Sequence, residues 1–125
     1  MLRELPNVKQ VPGEPKRRWF FCNEIDLVVF EDGSGICGFQ LAYDKHRNEH
    51  SFTWNRTRGF KHYVVDDGEP FAGVNDTPFL YANGPFNRDH VLELFLALAE
   101  DMPPSIISFV EGKLREFNGP ERSGR

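Results

Sequence analysis

The chain has 125 residues, 39% of them apolar and 27% charged, with a formal net charge of −4. That length favours one domain able to bury its own core, and the composition excludes a disordered chain. The charge is uneven: residues 1–63 carry ten Lys or Arg against eight Asp or Glu, and residues 64–125 carry five against eleven. An acidic C-terminal half argues against a general nucleic-acid binder, whose footprint is basic.

Residues 1–16 hold Pro6, Pro12 and Pro15, show little periodicity, and read as an extended arm. They contain no apolar core of a signal peptide, and no run in the chain approaches the ~20 apolar residues of a membrane span. A cytoplasmic protein is therefore expected, with no membrane partner. Its two cysteines, Cys22 and Cys37, are expected to be reduced thiols, since they have neither C-x-x-C nor metal-ligand spacing.

The runs "RRWFFC" (17–22) and "DLVVFE" (26–31) are rich in strand formers. "DGSG" (32–35) reads as a hairpin loop into "ICGFQLAYD" (36–44). "KHRN" (45–48) leads to "EHSFTW" (49–54), and "NRTRG" (55–59) turns the chain into "FKHYVV" (60–65). Residues 66–77, "DDGEPFAGVNDT", form a long loop, a kind that is often functional. "PFLYA" (78–82) reads as a short sixth strand. A helix over 88–101 follows, capped by Asn87 or Asp89. Pro103 and Pro104 end it and start a second over 104–117, in which Ile106, Ile107, Val110, Leu114 and Phe117 recur at helical spacing. Residues 118–125 read as a flexible tail.

Closing each loop as a simple antiparallel hairpin fixes a register. The first loop pairs Phe30 with Cys37 and Val28 with Phe39. The second pairs Tyr43 with His50 and Leu41 with Phe52. The third pairs Trp54 with Phe60 and Phe52 with His62. Residues directly opposite share a face. One face then holds Val28, Phe30, Cys37, Phe39, Leu41, Tyr43, Phe52, Trp54, Phe60 and Val64, with Asp26, His50 and His62. The other holds Gln40, Ser51, Thr53, Lys61 and Tyr63, with Ile25, Leu27, Val29 and Val65. The expected fold is α+β: one domain over 1–125, an antiparallel meander of five to six strands, and two C-terminal helices packed on the apolar face.

Candidate chemistry follows from that register. Tyr43, His50 and His62, with Asp66, line one end of a ligand pocket where the helices leave the sheet uncovered. Histidine there suits acid–base work or metal binding, although two core-edge histidines satisfied by backbone or water explain the same pattern. "HRNEH" (46–50) lacks the zincin spacing and sits in a hairpin. "GSGICG" is not a phosphate-binding loop, and no cofactor, metal centre or catalytic nucleophile is expected. Arg56 and Arg58, between Trp54 and Phe60, offer a nucleic-acid contact, for which a solvated hairpin loop is the plainer explanation. Gln40, Thr53, Lys61 and Tyr63 mark an interface on the second face, for a homodimer or another protein.

The stretches "LPNVKQVPGEPKRRWF", "DLVVFEDGSGICGFQLAYD" and "TPFLYANGPF" resemble a family of small bacterial proteins with no assigned function. That resemblance implies a bacterial cytosolic protein and transfers no site residue. The function expected first is a non-enzymatic binding or interaction module. A small enzyme or ligand-binding protein using Tyr43, His50 and His62, and a nucleic-acid contact through Arg56 and Arg58, are the alternatives.

Overall fold

Alternating apolar residues, broken by Gly- and Asn-rich turns, build a single meandering sheet. The computed structural model describes residues 1–46, 49–65 and 86–117. Its strands are β1 (Arg3–Glu4), β2 (Lys16–Phe21), β3 (Asp26–Asp32), β4 (Gly35–Tyr43), β5 (His50–Asn55) and β6 (Gly59–Val64). They lie in the order β1-β2-β3-β4-β5-β6, each antiparallel to its neighbours. Two helices follow, α1 (Arg88–Leu98) and α2 (Pro104–Glu116). The α+β meander with its C-terminal helix pair is thus present. The strand expected at 78–82 and the loop at 66–77 lie outside the described residues.

Two of the three expected registers hold. Tyr43 faces His50, Leu41 faces Phe52 and Phe39 faces Trp54. Trp54 faces Phe60 and Phe52 faces His62. The third is corrected by one residue. The turn forms as expected, with Asp32 opposite Gly35 and Glu31 opposite Ile36, but Phe30 then faces Gly38. Cys37 is the extra residue of a β-bulge. Its carbonyl oxygen accepts from the Arg56 N–H at 2.9 Å, continuing the β4–β5 pairing. A one-residue slip moves every side chain of a strand to the opposite face. Leu27 and Val29 therefore enter the core, fully buried, and Val28 and Phe30 turn to the other side. Asp26 turns with them, and Cys37 leaves the expected core set. Ile25, expected on the second face, is also buried.

The helices cover the corrected core face. Ile106, Val110 and Leu114 fall four apart along α2 and are all buried, as are Val91, Leu92 and Phe95 on α1. They pack with Phe20, Leu27, Val29, Phe39, Leu41 and Phe52 in one cluster. The Asn87 side chain accepts from the His90 N–H at 3.1 Å and caps α1, and Pro104 opens α2, where its missing N–H costs no helical bond. The Arg88 guanidinium donates to the carbonyls of Leu114 and Phe117, tying the start of α1 to the end of α2. Trp54 sits half-buried at the rim of this layer, with the Lys113 ammonium 4.3 Å from its ring centre.

The N-terminal arm is more ordered than its prolines suggest. Leu2 is 2% exposed, and its N–H donates to the Leu98 carbonyl at 2.7 Å. Glu4 takes a two-pronged contact from Arg18 at 2.9 and 3.0 Å, which holds its carboxyl below the usual range. The sixth strand among the described residues is therefore β1, supplied by the arm.

Candidate functional site

Strand alternation and the two confirmed registers bring Tyr43, His50 and His62 together on the core face of β4, β5 and β6. The ring centres lie 5.3 Å apart for Tyr43–His50, 5.4 Å for His50–His62 and 6.0 Å for Tyr43–His62, with planes within 12° of parallel. The Tyr43 hydroxyl and His62 Nε2 meet at 2.6 Å. This hydrogen bond reaches over β5, across backbones separated by two strand spacings, ~9.6 Å. Phe86 and Phe117 close over the imidazole, with centres 4.9 and 6.2 Å away. His62 is 8% exposed, and its Nδ1 has no hydrogen-bond partner among the described residues.

Burial sets the charge states. It drives the His62 pKa from 6.5 down to about 4, helped by the neighbouring His50 charge. It raises the Tyr43 phenol well above its ordinary value, with the Asp44 carboxylate adding to the effect. At neutral pH the imidazole and phenol are both uncharged and share one proton position. If the phenol donates to Nε2, a single polar group, Nδ1–H, goes unmet. If Nε2–H donates, both the phenol proton and the Nδ1 lone pair go unmet. Each unmet buried group costs roughly 1–3 kcal/mol, so the phenol is the donor. Neither group exchanges a proton near pH 7, which is a poor basis for acid–base catalysis. Among the described residues no group of three His, Cys, Asp or Glu side chains could hold a metal.

His90 joins the edge of this cluster through Tyr43, 6.4 Å away, and its Nε2 lies 3.1 Å from the Asp44 carboxylate. That contact spans 46 positions in the chain and has no local signature. Asp66, grouped with the cluster from the sequence, lies outside the described residues. Arg56 donates twice to Asp32, at 3.0 and 3.2 Å, so the turns at 32–35 and 55–59 are bound to each other. A phosphate at Arg56 would have to displace that carboxylate. The Arg58 backbone N–H donates to the Asn55 side chain, which also holds Thr57. Cys22 and Cys37 are free thiols.

The opposite face of the sheet carries the residues assigned from the sequence to an interface. Gln40, Thr53 and Lys61 form one cross-strand row, and Tyr63 lies beside it opposite Ser51. The row continues through Val28 to Trp19. Trp19 and Phe21 are 39% and 37% exposed there. With Leu27 and Val29 in the core, the large apolar side chains of this face on β2 and β3 are Trp19, Phe21, Val28 and Phe30. The five-residue alternation of "RWFFC" was the available signal, but an almost wholly apolar run does not reveal which side faces out.

A groove of about 510 Å³ opens on this face, floored by Trp19, Val28, Phe30 and Gln40. Its wall is residues 5–9, an arc of the arm pinned at both ends to the edge of β2. At one end the Leu5 N–H donates to the Trp19 carbonyl at 2.8 Å. At the other the Gln10 side-chain amide imitates a strand, donating to the Arg17 carbonyl at 3.0 Å and accepting from the Arg17 N–H at 2.9 Å. Asn7 bends the arc between them in the left-handed region, φ 56°, which Asn tolerates better than most residues.

Comparison with family models, curated proteins and solved structures finds no match. No described helix is long and apolar enough to cross a membrane.

Proposed function

We propose that the chain is a non-enzymatic binding module whose contact surface is the sheet face opposite the helices. One observation carries this reading: Trp19 and Phe21, two large aromatic side chains, stand out of that face more than a third exposed. Contiguous apolar surface with a polar rim is the usual mark of a recognition site. Thr53, Lys61 and Tyr63 supply the rim, with Gln40 joining it to the groove. A protein partner, or a second copy through a symmetric contact, would bury roughly 1,200 Å² or more there. A bacterial origin and a cytoplasmic location belong to the same reading. Sedimentation tests self-association, and selection from a random displayed-peptide library tests a separate partner. A dimer or a bound peptide that is lost with Trp19→Ala or Lys61→Glu supports the module. A monomer that retains no peptide, or binding indifferent to both substitutions, refutes it.

A second reading places a small ligand at Tyr43, His50 and His62, with enzymatic use as its further extension. The buried Nδ1 of His62, which has no partner among the described residues, favours it, because an acceptor on a ligand would satisfy that donor. A small-molecule thermal-shift screen that stabilises wild type but not His62→Phe would support it. The nucleic-acid alternative at Arg56 and Arg58 predicts salt-sensitive binding of a single-stranded oligonucleotide, lost in Arg58→Glu.

A further inference from the structure

We infer that the groove beside the arm takes an extended acidic peptide carrying an aromatic or aliphatic side chain; this rests on the open face being the contact surface. The groove has an apolar floor and a cationic rim. Trp19, Val28 and Phe30 offer a slot for one apolar side chain, and Gln40 offers hydrogen bonds to a peptide backbone. Lys9 and Arg17 are the charged residues that line it, and no carboxylate does. Lys9 is exposed and has no ion-pair partner among the described residues. Arg17 has one loose contact, to Glu14 at 3.5 Å. Two strand carboxylates, Asp32 and Asp26, are already paired, with Arg56 and Lys45. An anion arriving at the rim thus meets two cations, of which Lys9 has no described acid beside it and Arg17 holds Glu14 only loosely.

The placement of Lys61 makes the occupant a peptide and not a small free acid. It ends the row Trp19–Val28–Gln40–Thr53–Lys61 and also lacks a described ion-pair partner. From β2 to β6 are four strand spacings, ~19 Å, which an extended chain at ~3.3 Å per residue spans in about six residues. A segment with an apolar side chain in the groove can therefore set one acidic residue against Lys9 and Arg17. A second acid about six positions away then meets Lys61. A small aromatic acid reaches one of these cationic ends only.

The test selects binders for the full chain from a random peptide library of about seven residues, long enough to span the row. Affinities of the enriched peptide, acetylated and amidated, are then measured by calorimetry. The expected peptides carry Asp or Glu toward both ends and an aromatic or aliphatic residue near one of them. Lys9→Glu and Lys61→Glu should each weaken binding about tenfold, the scale expected for reversing an exposed charge contact, and the loss should shrink at high salt. Selection against Lys9→Glu should shift enrichment at that end from acidic to basic residues. Enriched peptides without acids that are still lost with Trp19→Ala would overturn this inference while leaving the open face as the contact surface. Phenylacetate binding as tightly as the peptide would overturn it in favour of a small acid. Peptides indifferent to Trp19→Ala would overturn both. Circular dichroism of each variant separates misfolding from lost contact.

Discussion

Acid should weaken the fold through His62, and the size of the loss follows from its burial. Unfolded, the imidazole takes a proton near pH 6.5; folded, it resists until about 4. The folded state therefore binds fewer protons between those values, and stability falls with pH across that window. The contribution is complete above pH 6.5, declines as the pH drops, and is exhausted below about 4, where both states are protonated. At ~1.4 kcal/mol per pKa unit the full loss is on the order of 3 kcal/mol. The informative quantity is a difference between two proteins. Urea unfolding of wild type and His62→Gln across this window isolates it, because every other group titrates in both proteins. The wild type should lose more stability than the variant, by that amount. Parallel stability curves would mean that His62 is protonated as easily folded as unfolded, and that the closed aromatic cage described around it is wrong. An NMR titration of the His62 ring should place its midpoint near 4.

Three further perturbations test the packing. Phe39→Ala, beneath Phe109 and beside Phe52, should cost ~3–5 kcal/mol in urea unfolding, the range for a buried ring. Tyr43→Phe removes the one hydrogen bond of His62 Nε2 and leaves that nitrogen buried without a donor. Its cost should approach 1–3 kcal/mol, measured the same way, and a loss near zero would mean that water satisfies the nitrogen. Leu2→Ala should cost about 2 kcal/mol or more if β1 is stitched to α1 as described. A silent result would return the arm to an unattached segment.

The parts that could be read from the sequence were those where two periodicities agreed. In β5 and β6, Phe52 and Trp54 alternate with Ser51 and Thr53, and Phe60 and His62 with Lys61. One face is apolar, and the loop lengths read from "KHRN" and "NRTRG" give the register that β4, β5 and β6 adopt. That is why Tyr43, His50 and His62 could be placed together from residue order alone. In β3 the alternation has no vote: "LVVF" is apolar on both sides, so a single bulged residue at Cys37 reversed the strand without leaving a mark in composition. At the bulge the Cys37 carbonyl takes the N–H of Arg56, 19 positions later, a contact that local propensity does not encode. The arm fails for a related reason. Its docking rests on one buried leucine, Leu2, and on contacts to β2 from Glu4, Leu5 and Gln10 that have no meaning before the edge of β2 exists. The aromatic cage and the groove are products of tertiary closure, whereas the meander and the helix pair are products of pattern.

The contact surface itself can be tested through Trp19. With Trp54→Phe as background, Trp19 is the sole indole, and its emission reports whether the open face is covered. The account predicts a blue shift of that emission, with protection from quenching by iodide, as the chain binds a selected peptide or self-associates on concentration. A bound or dimeric state in which Trp19 emits and is quenched as it is in the free monomer would contradict it.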